Sequence, residues 1–206
     1  MVKPRRYQGT PMRQLKAAAL VALLVLSACA TRSGDYPDIA PAGAKASATE
    51  APPRTVDVAK TPYYIEFHSR PSIISGHTYI VYGALDENGT PREHIVTGFY
   101  PMGGIFGLLG GMVAAPGRID KTYLDEKIPD MNAYRKNITA EQYQRLTAYV
   151  DSEKGKTKVW NMFVNNCNDF AADAAKAIGL KVPEGRFMPP ALFIMTLSDM
   201  NAASSS

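Results

Sequence analysis

Two runs of β-branched and aromatic residues, His77–Gly83 and His94–Tyr100, flank the segment Asp86-Glu87-Asn88-Gly89-Thr90. Asn-Gly supplies the left-handed backbone of a tight turn, so the two runs predict an antiparallel hairpin. A turn at Asn88-Gly89 makes the numbers of facing residues sum to roughly 177. His77 then faces Tyr100, and His94 faces Gly83 at the far end of the ladder, so the two histidines do not meet. Tyr63–His68 has strand composition as well, and Arg70–Ser75 holds Pro71 and turn formers.

Helices alternate with these strands further on. Thr139-Ala140-Glu141-Gln142 predicts a capping box, and Tyr143, Leu146, Thr147 and Val150 follow at helical spacing until Gly155. Lys158–Val164 predicts a strand. Asn165-Asn166 then leads into a helix over Cys167–Ile178, with Phe170, Ala171, Ala174, Ala175 and Ile178 on its apolar face and Gly179 as its stop. Pro183 and Pro189-Pro190 break the chain, and Ala191–Leu197 is a short apolar helix. Pro101–Gly117 carries six glycines among large apolar residues, which argues against a stable helix. Two readings fit it, a mobile apolar lid over a site or a buried irregular connection. Together these elements predict an α+β domain over residues 62–200, an antiparallel sheet packed against a helix that carries Cys167 at its N-terminus, with a disordered tail at 201–206.

The first 28 residues belong to a different class. Lys3, Arg5, Arg6, Arg13 and Lys16 precede the apolar run Ala17–Leu26, and no acid lies among them. This is the basic start and apolar centre of a secretory signal; ten apolar residues are too few for a membrane span, which needs about 20. The ending Leu26-Ser27-Ala28-Cys29 resembles the lipobox of bacterial lipoproteins. That resemblance implies cleavage before Cys29, acylation of Cys29 and a lipid anchor in the cell envelope. Ala30 after it resembles the signal for the periplasmic face of the outer membrane. Cleavage removes five basic residues and no acid, so the formal net charge falls by five, from +4 to −1. The case for a nucleic-acid partner disappears with it. Residues 29–61 are rich in Ala, Pro, Thr and Ser and read as a tether of about 30 residues, spanning about 30 Å as a flexible coil.

The chain has two cysteines. With Cys29 acylated, Cys167 has no disulfide partner in the chain, which leaves it either buried and inert or kept for chemistry. A helix N-terminus presents free N–H groups and a partial positive charge; both favour a thiolate, and the same groups suit an oxyanion. The order Ser75-Gly76-His77-Thr78-Tyr79-Ile80-Val81, then Gly98-Phe99-Tyr100-Pro101, then Asn166-Cys167-Asn168-Asp169-Phe170 resembles the circularly permuted papain-like group of the NlpC/P60 superfamily, which includes lecithin–retinol-acyltransferase-like and PPPDE-type proteins. The resemblance covers about residues 62–185. It implies Cys167 as nucleophile and His77 as base. Clearer members have a second histidine late in the returning strand; here that stretch is Thr97-Gly98-Phe99-Tyr100, and Tyr100 takes the orienting role through the hairpin count. Asn166 and Asn168 fit helix capping better than chemistry.

The expected function is a membrane-anchored thiol hydrolase that cleaves an amide or ester, in peptidoglycan peptides or acyl lipids, through an acyl-enzyme, with hydrolysis and acyl transfer both open. The alternative is a non-catalytic envelope lipoprotein that uses the same fold as a binding module. No metal-ligand cluster and no cofactor motif stands in the sequence.

Overall fold

The computed structural model describes residues 59–202 except 105, 106, 108, 110, 111, 185 and 186. The signal, Cys29, most of the tether and positions 203–206 lie outside the described residues. Six strands, β1 (Tyr63–Arg70), β2 (His77–Ala84), β3 (Ile95–Pro101), β4 (Ala115–Asp120), β5 (Asn132–Ile138) and β6 (Lys158–Trp160), form one antiparallel sheet in the order β5-β1-β2-β3-β4-β6. Helices α1 (Leu124–Lys127), α2 (Ala140–Lys154), α3 (Cys167–Ala177) and α4 (Pro190–Asn201) connect or follow them. The fold is α+β with a helix starting at Cys167.

The hairpin forms in the expected register: Tyr79 pairs with Gly98, Ile80 with Thr97 and Val81 with Val96. Asp86 closes the turn by accepting from the backbone N–H groups of Asn88 and Thr90, and Gly89 takes φ +79°. Alternation along the strands then sorts the two faces. Ile65, Phe67, Ile80, Tyr82 and Phe99 point to the face covered by α2, α3 and α4, where they pack with Leu146, Val150, Phe170 and Phe193. The other face holds Tyr64, Tyr79, Val81 and Val96, together with the polar residues around α1.

Several expectations need correction. Lys158–Val164 is a strand only to Trp160, because Asn161 and Asn165 pair with each other and close a tight turn. The final helix runs to Asn201, whose side chain bonds both backbone groups of Lys181, so position 201 is helix rather than tail. In the glycine-rich segment Gly104, Gly107 and Leu109 are helical, and the Gly107 N–H bonds the Gly103 carbonyl. Glycine lowers helix propensity, but here a Cβ on Gly107 would collide with the Met102 carbonyl, so close packing requires it.

Candidate active site

A cavity opens where β1 and β3 end and β2 begins. His77 and Cys167 both line it, with Arg70, Tyr100, Asn166 and Asn168 on its polar side. Local sequence chemistry fixes each position. Asn166 caps α3 by accepting from the Asn168 N–H at 2.8 Å, while Asp169 accepts from the Asn166 N–H at 2.8 Å; this capping box sets Cys167 as the first helical residue. Asn168 accepts from the Thr78 hydroxyl at 2.6 Å and donates to the Met188 carbonyl at 2.9 Å. Thus the two asparagines serve the helix start and its docking on β2. Gly76 takes φ +101° immediately before His77, a turn that a side chain would strain.

The docking brings backbone N–H groups to the thiol: those of Thr78, Asn168 and Cys167 itself point at the sulfur. Thr78 directly follows His77, so the sulfur sits beside the strand start that carries the imidazole. Burial of Cys167 outweighs these donors, and its pKa is raised above the ordinary thiol value.

His77 is also buried, and its Nε2 has no hydrogen-bond partner. Desolvation, with the Arg70 guanidinium adding to it, pushes its pKa down to about 3 against the opposing pull of Asp125. The imidazole is therefore neutral at pH 7. Tyr100 stands against it with ring centroids 4.3 Å apart, in line with the hairpin count. The Tyr100 hydroxyl, however, donates to Asp125. Gly98 makes this arrangement possible, since a Cβ there would lie 2.6 Å from the Tyr100 hydroxyl and 3.0 Å from His77 Nε2.

Asp125 completes this group of side chains. It lies in α1, a four-residue helix, with a fully buried side chain that accepts from Arg70 Nε at 2.8 Å and from the Thr122 N–H at 2.9 Å besides Tyr100. Burial raises its pKa, but the Arg70 guanidinium and the Tyr100 and Thr122 donors outweigh that and hold it below the ordinary carboxylate value. No signal in the sequence marks Asp125, because one carboxylate in a Leu-Asp-Glu-Lys run is usual on a solvated helix; only the fold turns it inward. His94 lies at the far end, 3.3 Å from the Tyr64 hydroxyl. Among the described residues no group of three or more His, Cys, Asp or Glu is placed to hold a metal ion, and no helix is long and apolar enough to cross a membrane.

The chemistry this arrangement offers is a neutral thiol and a neutral imidazole at one cavity, with N–H donors around the sulfur. No family model, no curated protein and no solved structure matches the chain.

Proposed function

We propose that this protein is a lipid-anchored thiol hydrolase of the cell envelope, with Cys167 as nucleophile, His77 as general base and a permuted papain-like arrangement of the two. One observation carries the reading: a cysteine at a helix start and a histidine at a strand start line one cavity, with the Thr78 N–H at the sulfur. His77 takes the thiol proton as sulfur bonds to the carbonyl carbon of an amide or ester. The carbonyl oxygen becomes an oxyanion, which the N–H groups at the start of α3 suit. Collapse breaks the bond to the leaving amine or alcohol, which receives the proton from His77. Water then attacks the thioester, giving the acid and restoring the thiol. Tyr100 holds the imidazole face, and Asp125 holds Tyr100.

Burial itself favours a second reading. It keeps both partners neutral at rest, which is also what a non-catalytic binding module would show. Iodoacetamide labelling separates the two, and Cys167 is the one thiol left once Cys29 is acylated. Labelling of the native protein at pH 6 to 7, lost in His77→Ala, is expected for the hydrolase, together with an acyl-enzyme on Cys167 trapped from envelope extracts. Labelling in denaturant alone would assign the binding module.

A further inference from the structure

Three apolar stretches frame the cavity mouth, although the connection that carries the third also holds Lys181, Glu184 and Arg186. Pro71–Gly76, Asn161–Asn165 and Phe187–Pro190 read PSIISG, NMFVN and FMPP. Large apolar side chains stand out from them: Ile74 is 44% exposed, Phe163 46%, Val164 76% and Phe187 59%. They form one rim. The Phe163 and Phe187 rings lie 4.9 Å apart, and Ile74 and Phe187 both line the cavity. The opposite end of the sheet differs, for its β2–β3 turn is Asp-Glu-Asn-Gly-Thr-Pro-Arg-Glu. Isolated exposed apolar residues need no explanation, but a contiguous apolar rim around a cavity marks a contact surface.

We infer that this rim is the face on which the domain rests against a lipid bilayer, so that the cavity opens onto the membrane surface. The inference rests on the reading of Cys29 as a lipid anchor and is independent of the thiol chemistry. Chain length supports the occupant. The chain enters β1 at Tyr63, at the end away from the mouth, and β1 is eight residues long. Entry point and mouth are thus about 23 Å apart at about 3.3 Å per residue. Cys29 and β1 are separated by about 30 residues, and a chain of that length can span about 30 Å, enough to let the mouth turn to the membrane that holds the anchor. A tether of a few residues would hold the charged end there instead. Large exposed apolar side chains such as Phe163, Val164 and Phe187 suit the acyl boundary of a bilayer.

Fluorescence quenching tests this on the full lipidated chain in phosphatidylcholine–phosphatidylglycerol vesicles with brominated acyl chains. Two reporters are placed at exposed positions, Phe163→Trp on the rim and Glu87→Trp at the far turn, each read against native Trp160. The rim reporter is expected to lose most of its added emission and the far reporter to keep it. Adding Ile74→Asp and Phe187→Asp to the rim reporter should restore emission while the protein still sediments with vesicles through its anchor. Two unquenched reporters on sedimenting protein, or two equally quenched ones, would overturn the inference. So would a dimer, in detergent-free solution, that the aspartate substitutions dissolve, because the rim would then belong to a second copy. Loss of sedimentation would overturn the anchor, and with it the inference, while iodoacetamide labelling of Cys167 reports on the hydrolase separately.

Discussion

His68 and His77 lie on adjacent strands, on the same face of the sheet, and both stack against Tyr79, at 5.1 and 6.3 Å between ring centroids. Both are largely buried. Burial alone would make each neutral, yet they end in opposite states. His68 meets Asp130 at 2.7 Å and Glu66 at 3.1 Å, one carboxylate on each ring nitrogen; burial lowers its pKa, but these two bonds outweigh it and raise the value to about 9. His77 has one carboxylate in its neighbourhood, and Asp125 spends its lone pairs on Arg70, Tyr100 and Thr122. Charge on a buried imidazole is therefore decided by direct carboxylate contact, and a carboxylate held by an arginine does not supply it. The sheet places a fixed cation and a neutral base on the same face of adjacent strands.

The largest way to break this contrast is Asp125→Ala. It leaves Arg70 buried without its counter-ion, and loss of one partner of a buried pair costs roughly 3–5 kcal/mol. Urea denaturation should show that loss; a change within error would mean that Arg70 finds water instead. Acid comes next. The folded pKa of His77 lies below its unfolded value of 6.5. Its contribution is therefore intact above pH 6.5 and is lost as pH falls towards 3, since the unfolded chain takes a proton that the folded site refuses. The loss is on the order of a few kcal/mol, and His77→Gln should flatten that arm of the stability curve. The alkaline arm has the opposite sign. His68 has its pKa raised, so its contribution is present below pH 6.5 and fades between 6.5 and about 9, by roughly 2–3 kcal/mol, and Glu66→Gln should shrink it. The smallest effect expected is from Tyr100→Phe, roughly 1.5–2 kcal/mol for a lost hydrogen bond to a charged acceptor, with the ring contact kept. If the orienting role is right, iodoacetamide labelling of Cys167 should slow further in that variant than its stability loss explains.

What the sequence makes legible follows from how local each determinant is. The register of β2 on β3 is set by the Asp86–Thr90 turn, and the starts of α2 and α3 by capping boxes three residues long, so all three are readable. β4 is not legible because Pro116 and Gly117 sit inside it, where propensity opposes a strand and only pairing to β3 and β6 on its two sides overrules it. β5, Asn-Ala-Tyr-Arg-Lys-Asn-Ile, lies at the sheet edge and has the charge of an exposed loop. The site divides in the same way. Cys167 and His77 are marked by helix-start and strand-start context, and Tyr100 by counting across the hairpin. Asp125 depends on a connection between β4 and β5, neither of which the sequence announces, so its place beside Arg70 exists only once the sheet is complete.

The burial that keeps Cys167 protonated also bears on how long the protein lasts in oxidising surroundings. Peroxides and disulfides attack thiolates far faster than thiols, and sulfinic acid once formed is in general not reversed. Cys167, with its pKa raised and its sulfur enclosed between α3 and β2, offers such oxidants little anion to attack. The same enclosure that raises the thiol's pKa guards it against irreversible loss.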